Sequence, residues 1–492
     1  MKKNQFRVLS SMFAFLAVCS VSACGDSAEL PSQDNTTSGV SLENTTAAES
    51  TIYDVLPEKD YKQYTFRILN NLSNFAYTNI GEDGQTGESL DDAIYNRNLA
   101  VESALNISFQ IVAKEWEDTK DTISTAVAAG EDLYDMYFCD LSVVLGHALN
   151  GYLVDLSGIE SLNFENPWWS TTAIDSVSIG DTIYAAFGDL HVGYYESYVP
   201  LVFNKSILTE LDLADPYQLV REGTWTIDAM VAMMKEAKND VDGDGKWTVA
   251  DRYAFGIMEH NVGAFLTSAD ASIITKDNEN LPVWEGLSDR YQTVYNKLAT
   301  TIFEDKKNNA DNASGYSSDS DLQQLHGMTL DGSVLFYIEP LGSVKKMRNA
   351  DFEVGVVPMP KYDENQEEYR SYIFSSANAM AIPKTNPDVE RTGVIVDYMS
   401  AYSHEGVRDT YFNETLDFKY IQDEESQEML DIIFKNGYFE LADVYGWGDL
   451  SSKIKTSLYS GRADVVSRVE RVSAKVDAEI SETLVAFEEA QS

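Results

Sequence analysis

The chain has 492 residues and is strongly acidic, with 80 Asp and Glu against 36 Lys and Arg and a formal net charge of −44. This charge argues against nucleic-acid binding and against flat adsorption on anionic lipid. The length exceeds what one hydrophobic core usually organises, so we expect two lobes. Beyond the N-terminus no stretch approaches 18 apolar residues, so no transmembrane helix is predicted.

The N-terminus has the pattern of an export signal. Lys2, Lys3 and Arg7 precede a short, mostly apolar run at residues 8–18, and residues 21–24 read Val-Ser-Ala-Cys. Positive charge, a short apolar run and small residues before the cleavage point are what a signal peptidase requires. An ordinary secretory signal in which the cysteine is incidental is the alternative interpretation.

Val-Ser-Ala-Cys resembles a lipobox, the signal in which the cysteine becomes the mature N-terminus and carries a diacylglycerol. The resemblance implies a signal peptide at residues 1–23 and lipidation of Cys24, with the membrane reached through this anchor only. Residues 24–51 are rich in Ser, Thr, Asn, Ala and Glu and nearly free of large apolar side chains. This composition predicts a disordered tether.

Strand and helix patterns alternate after the tether. The predicted elements are a strand over residues 64–69, a helix over 87–104, a strand over 107–112, a helix over 118–129 and a strand over 133–139. Helices between short strands predict an α/β fold with a mostly parallel sheet covered on both faces. Because ligands bind beyond the carboxyl ends of such strands, we expect Asn70, Asn71, Ser73 and residues 138–140 at one rim.

Five segments resemble, in order, the family 1 extracellular solute-binding proteins, the maltose-binding-protein-like group of ABC transporter substrate-binding proteins. The segments are residues 133–156 ending in Gly-Tyr-Leu-Val-Asp-Leu, 181–208 with Leu-Val-Phe-Asn-Lys, 216–237 with Gly-Thr-Trp-Thr-Ile-Asp, 352–360 with Val-Gly-Val-Val-Pro-Met-Pro, and 375–384 ending in Ala-Ile-Pro-Lys. The chain departs from the family at Phe187-Gly-Asp, where a proline is common.

The resemblance implies a two-lobe periplasmic-binding-protein-like fold with a ligand cleft between the lobes and hinge crossovers. Lobe one is expected at residues 52–195 and 376–416, and lobe two at 196–375 and 417–492. The chain is expected to cross between the lobes near residues 192–200, 372–376 and 415–420, and a helix over residues 465–489 is expected to pack on lobe two. The implied function is capture of a sugar or oligosaccharide and its delivery to the permease subunits of an ABC importer. The protein is expected to be an exported, lipid-anchored monomer on the outer face of the cell membrane, and not an enzyme.

A sugar cleft combines aromatic faces with polar partners for the hydroxyls, and the chain holds 28 Tyr, 21 Phe and 7 Trp. Trp447, in Tyr-Gly-Trp-Gly, is the chief candidate for a stacking face, and Asp140 for its polar partner. For any single candidate, a place in the core or on the ordinary surface is the open alternative. The predicted ligand-binding residues are Asn71, Asp140, Asp189, His191, Tyr194, Tyr195, Tyr337, Glu339, Tyr445 and Trp447.

Residues 240–251 have the spacing of an EF-hand calcium loop. Gly245 supplies the sharp turn at the sixth position, and a solvated acidic turn is the alternative. We predict a structural calcium ion, held by Asp240, Asp242, Asp244, Lys246, Thr248 and Asp251.

The sequence offers little for catalysis. The five histidines lack metalloprotease spacing, and no Gly-x-Ser-x-Gly or phosphate-binding glycine loop is present. Cys139 has no nearby histidine and is predicted to be a packing residue. A surface-anchored glycan-active hydrolase and a calcium-dependent surface adhesin are the alternative functions. The adhesin would normally show internal repeats, and the sequence has none.

Overall fold

The computed structural model describes residues 52–73, 76–81, 84–315, 321–416 and 424–491. The predicted signal peptide, Cys24 and the tether lie outside these ranges. The first part of the described chain alternates strand and helix, as the sequence predicted. Its elements are β1 Tyr64–Leu72, α1 Ser89–Leu105, β2 Ile107–Glu115, α2 Trp116–Ala129, β3 Met136–Asp140, α3 Leu141–Leu149 and α4 Thr171–Val177.

A second group of elements follows. It comprises β4 Leu201–Asn204, α5 Lys205–Glu210, α6 Pro216–Arg221, α7 Ile227–Ala237, β5 Tyr253–Ile257, α8 Gly263–Ser268, β6 Thr275–Lys276, β7 Pro282–Val283, α9 Asp289–Leu298, α10 Asp321–Leu330, β8 Val334–Ile338, α11 Leu341–Val344 and β9 Val354–Val357. Several helices begin at side-chain caps. For example, Asn204 accepts the backbone N–H groups of Ser206 and Ile207.

The remaining elements are β10 Ser371–Tyr372, β11 Asn378–Ala381, α12 Val389–Tyr402, α13 Arg408–Thr410, α14 Glu424–Lys435, β12 Gly437–Tyr438, α15 Leu441–Tyr445, α16 Leu450–Tyr459, α17 Val465–Glu470 and α18 Ser473–Gln491. Short 3-10 turns occur at Ile52–Val55, Leu156–Gly158, Val192–Ser197, Glu259–Asn261, Lys306–Asn308, Ala310–Asn312, Lys345–Asn349 and Trp447–Asp449, and π-helical turns at Ala299–Phe303, Ser403–Val407 and Tyr411–Leu416. In the described ranges, no helix is both long enough and apolar enough to cross a bilayer.

The first sheet has the strand order β11-β3-β1-β2. β1 pairs in parallel with β2 and β3, and β11 runs antiparallel to β3. The parallel arrangement predicted for the first three strands is confirmed. β1 extends two residues past Asn70, because Asn71 and Leu72 continue the ladder with β2. Cys139 is fully buried in this sheet, as its predicted packing role requires.

The second sheet has the order β5-β8-β4-β9 and is mixed. β5 and β8 are parallel, while β4 runs antiparallel to both β8 and β9. The expectation of a mostly parallel sheet therefore holds for the first sheet only. Strand direction was not readable here, because these strands are almost wholly buried and buried runs are apolar in either direction.

Two crossing segments lie side by side: one leads into the second sheet, and the other leads from the short parallel pair β10-β12 into the first sheet. The turn Val192–Ser197 leads into β4, and residues 373–377 lead from β10 to β11. The Val199 N–H donates to the Tyr372 carbonyl over 3.0 Å, and the Phe374 N–H donates to the Ser197 carbonyl over 2.8 Å. The third crossing, predicted at residues 415–420, lies mostly outside the described residues. The lobe boundaries drawn from the sequence remain predictions.

The C-terminal segment differs from its prediction. One helix packed on lobe two was expected over residues 465–489, but α17 and α18 are separate. α18 also reaches the first sheet's layer, where the Phe487 ring lies 5.2 Å from Tyr184. Helical periodicity fixes which face is apolar but not which neighbour that face meets.

Candidate ligand cleft

Three polar side chains meet at the rim of the first sheet. Nδ2 of Asn71, near the end of β1, donates to Oδ1 of Asp140 over 3.0 Å and to Oδ1 of Asn378 over 2.8 Å. The antiparallel register of β11 places Asn378 directly opposite Asp140. Burial raises the pKa of Asp140 to about 6, although the Asn71 hydrogen bond opposes the shift. The structure thus brings two predicted residues together and adds Asn378.

An opening of about 410 Å³ lies beyond the carboxyl end of β5. Its walls come from the turn after β5, from the second crossing segment and from α15 and α16. Residues 374–378 connect this opening to the first-sheet rim, because Ser375 lines the opening and Asn378 lies against Asn71. The lining residues include Glu259, His260, Phe374, Ser375, Asp443 and Lys455.

The polar groups of this opening are held by one another. Nζ of Lys455 lies 2.7 Å from Oδ1 of Asp443, and the Tyr372 hydroxyl donates to Oδ2 of the same carboxylate over 2.8 Å. The Thr456 hydroxyl donates to Oε1 of Glu259 over 2.6 Å. Such fixed donors and acceptors lose little side-chain entropy when a polar ligand binds.

An aromatic ring and a neutral histidine complete the opening. The ring of His260 lies 5.6 Å from that of Phe374. Burial, reinforced by nearby Lys455, lowers the pKa of His260 and so favours its neutral form. A neutral imidazole carries one donor and one acceptor. This combination of an apolar face with donors and acceptors can bind a ligand that presents hydroxyl groups.

Sequence reasoning missed most of these residues. A signal was available for Glu259 and His260, which come just after the buried strand β5 in the way that Asp140 ends β3. No comparable signal marks Phe374, Asp443 or Lys455, which reach the opening through tertiary packing.

Trp447 and Tyr445 do not form the predicted stacking surface. Their rings stack on each other, with centroids 4.6 Å apart and planes within 2°. Trp447 is only 2% exposed, and its indole N–H donates to the Thr483 hydroxyl over 2.9 Å. The Tyr445 hydroxyl donates to the Val177 carbonyl. Gly448, which follows Trp447, therefore allows close packing by Val476 of α18 instead of ligand access, and we correct both assignments.

Four other predicted residues lie in or beside the first crossing segment. Tyr194 and Tyr195 are buried in an aromatic cluster, and their hydroxyls bond to Tyr198 and Asp189 respectively. Asp189 also lies 2.5 Å from the His404 ring nitrogen. Asp189, Tyr194 and Tyr195 are thus engaged in internal contacts and do not line the opening. His191 is buried behind the rim of the first sheet.

Tyr337 and Glu339 belong to the second sheet but do not line the opening. Tyr337 is buried within β8, with its ring 5.6 Å from His326. Glu339 follows β8 and is buried, and burial raises its pKa to about 8.

The acidic loop at residues 240–251 is ordered by its own side chains. Oδ1 and Oδ2 of Asp240 accept the N–H groups of Gly243 and Gly245, and Gly245 has a φ of +80°. Asp251 is buried and accepts the N–H groups of Val241 and Thr248. Carboxylate oxygens of Asp240, Asp242 and Asp244 lie within 4.8 Å of one another. Three of the predicted ligands therefore converge, while Asp251 closes the loop through backbone contacts.

Comparison with known proteins identifies the class. A family model described as bacterial extracellular solute-binding protein matches residues 100–411. The match spans well over half of the chain, and the protein belongs to this family of exported solute-binding proteins. No curated protein matches the chain.

Solved structures agree on the fold. The sugar-binding protein MalE from Xanthomonas citri has a TM-score of 0.57 at 13% identity, covering 86% of this chain and 99% of MalE. RafE from Streptococcus pneumoniae has a TM-score of 0.54 at 14% identity, covering 85% and 98%. A cyclo/maltodextrin-binding protein complexed with maltotetraose has a TM-score of 0.53 at 12% identity, covering 87% and 97%. At these identities the likeness establishes the two-lobe α/β fold.

The burial of Trp447 predicts a stability effect. We expect Trp447→Ala to lower the free energy of unfolding by about 3–5 kcal/mol, because it leaves a cavity beside Tyr445. Chemical denaturation measures this loss. Trp116→Ala is the control, because Trp116 is 45% exposed and its removal should change stability by less than about 0.5 kcal/mol. Equal denaturation midpoints for Trp447→Ala and the parent would contradict a packing role for Trp447 and would reopen its assignment as a ligand contact.

Proposed function

We propose that this protein is the solute-binding lipoprotein of an ABC importer and that it binds a sugar or oligosaccharide between its two lobes. The permease subunits of the importer would be its partners, and closure of the lobes would enclose the ligand. The observation that supports the proposal is the placement of polar groups around Phe374, on the segment that leads into the rim of the first sheet.

The chemistry of this region favours a carbohydrate. Sugar hydroxyls need both donors and acceptors, and Asp140, Glu259 and His260 offer them. Sugar CH faces pack against aromatic rings, for which Phe374 is available. The volume of about 410 Å³ falls within the about 300–1,000 Å³ typical of small-molecule sites. The similar structures include the sugar-binding protein MalE and a cyclo/maltodextrin-binding protein complexed with maltotetraose, which is consistent with this chemistry.

A thermal-shift screen against mono- and oligosaccharides tests the proposal. A ligand at 100 times its Kd should raise the free energy of unfolding by about 2.7 kcal/mol. Asp140→Asn and Glu259→Gln should weaken binding of that ligand about 10- to 100-fold, because each removes a charged hydrogen-bond partner. Asp121→Asn, on the exposed face of α2, should bind as the parent does.

Two results would contradict the proposal. Parental affinity in both Asp140→Asn and Glu259→Gln would remove the site. Stabilisation by another class of solute, with none by any carbohydrate, would contradict the proposal that the ligand is a sugar.

We also propose that the loop at residues 240–251 binds a structural calcium ion. Three converging carboxylates and a glycine turn support this, since calcium requires several oxygen ligands around a tight loop. Calcium at ten times its Kd should stabilise the fold by about 1.4 kcal/mol. Calorimetry of the double variant Asp242→Asn, Asp244→Asn should show no such effect, with sugar affinity unchanged. A parent protein that melts identically in chelator and in calcium would exclude the ion.

The lipid anchor is a further part of the proposal. Cys24 follows Val-Ser-Ala, and the charge of the mature chain suits a body held away from an anionic surface. We expect Cys24→Ala to be released into the medium or left unprocessed, and fractionation of cells with immunoblotting measures this. If the variant stays with the membrane at its mature size as the parent does, Cys24 is not the anchor.

A further inference from the structure

His191 is a buried histidine with unused hydrogen-bonding capacity. It directly precedes the crossing turn Val192–Ser197 and is 5% exposed. Neither ring nitrogen has a hydrogen-bond partner among the described residues. Burial lowers its pKa to about 4, so the ring is neutral and carries one donor and one acceptor nitrogen. Buried polar atoms are normally satisfied by protein or by ordered water, so a ring nitrogen in this position is a candidate for a water contact.

Asn378 presents a related problem. Its Oδ1 accepts the hydrogen bond of Asn71, while its Nδ2 has no partner in the part of the chain that the structure describes. Rotation of this amide by 180° would place Nδ2 of Asn378 against Nδ2 of Asn71, donor against donor. An acceptor on the far side of the amide would satisfy Nδ2 of Asn378 and would add to the preference for the orientation that supports Asn71.

A small cavity lies between these two residues. It has a volume of about 10 Å³, and both Asn378 and His191 line it together with Phe138, Met380 and Trp169. This volume is at the lower limit for one water molecule. Most of its lining is apolar, and Nδ2 of Asn378 and the His191 ring supply the two hydrogen-bond partners that are the least a buried water requires.

We propose that His191 and Asn378 are positioning residues for Asp140, joined by one buried water. The water accepts a hydrogen bond from Nδ2 of Asn378 and donates one to a ring nitrogen of His191. Asn378 is thereby fixed with its oxygen towards Asn71, and Asn71 holds the carboxylate of Asp140. The importance of this hydrogen-bond series for ligand binding rests on the proposed function, in which Asp140 contacts the sugar.

This hydrogen-bond series also links the rim of the first sheet to the first crossing segment. The ring of His191 lies 4.7 Å from Phe138 on β3, and its backbone enters the turn that leads to β4. A movement of the crossing turn would therefore shift the water and, through Asn378, the Asp140 carboxylate.

A crystal structure of the full-length mature protein at about 1.5 Å resolution tests the water directly. We expect one ordered water within hydrogen-bond distance of both Nδ2 of Asn378 and a ring nitrogen of His191. A dry cavity, or an Asn378 amide turned with its nitrogen towards Asn71, would overturn the proposal.

Titration of Asp140 in the ligand-free protein tests the positioning role. Its carboxyl carbon can be followed by NMR in ¹³C-Asp-labelled protein, with the resonance assigned through Asp140→Asn. His191→Phe and Asn378→Leu should each raise the Asp140 pKa by about one unit, because the charge-assisted hydrogen bond from Asn71 is weakened. His191→Gln, which keeps a polar group facing the cavity, should restore the parental value.

Stability separates positioning from simple packing. His191→Phe replaces a ring that has one water-bonded and one unpartnered nitrogen with an apolar ring, and it should melt at or above the parental temperature while the Asp140 pKa rises. A purely structural histidine predicts a lower melting temperature and an unchanged Asp140 pKa, which would contradict the proposal. His326→Phe is the matched control, because His326 is also buried but lies on α10 and should leave the Asp140 pKa unaltered.

The test does not depend on finding the ligand. If His191→Phe fails to fold, Asn378→Leu and the parental crystal structure decide the outcome. If the Asp140 pKa shifts as expected but Asp140→Asn binds sugar normally, the proposed ligand site fails while the positioning chain stands.

Discussion

The backbone hydrogen bonds between the two crossing segments hold the ligand region in place. The Val199 N–H donates to the Tyr372 carbonyl and the Phe374 N–H donates to the Ser197 carbonyl, so the two crossing segments are paired. Ser375 follows Phe374 in the wall of the opening, and Asn378 lies three residues further on at the rim beside Asp140. This pairing therefore also fixes the wall and the rim. The large aromatic side chains of Tyr194, Tyr195 and Tyr198 pack around the first segment and exclude water from these bonds.

Burial sets the charge of the region between the sheets. Four carboxyl groups there or nearby have pKa values raised by burial, to about 6 for Asp140, about 7 for Glu196 and Glu440, and about 8 for Glu339. A carboxyl group removed from water favours its neutral form unless a cation or several donors compensate. Although the chain has a formal charge of −44, this region is therefore less negative than its composition implies.

Local pattern was enough to predict the first sheet. The elements from β1 to β3 have periodic apolar faces, and the parallel arrangement brought Asn71 and Asp140 to one rim as expected. Pattern failed where tertiary packing decides. Whether Trp447 is exposed or buried depends on α18, which begins 26 residues after it in the sequence. The aromatic residues near the crossing likewise have the composition of a sugar site but serve as the packing of the crossing.

The same distinction explains the residues that sequence reasoning missed. Lys455 and Asp443 are ordinary helix residues in the sequence, and only the packing of α15 and α16 against Tyr372 pairs them at the opening. Asn378 lies on a short buried strand whose antiparallel direction cannot be read from its apolar pattern. Direction and long-range pairing are properties of the whole chain.

Ligand-dependent closure of the two lobes is the central claim, and the distance between them measures it most directly. Spin labels at Asp121→Cys on α2 and Asn296→Cys on α9 would report this distance by pulsed electron resonance, since Cys139 is buried. The account predicts one shift of the distance distribution when a stabilising sugar is added, and none with the Asp140→Asn variant at the same sugar concentration. An unchanged distribution in the parent protein at saturating sugar would contradict it.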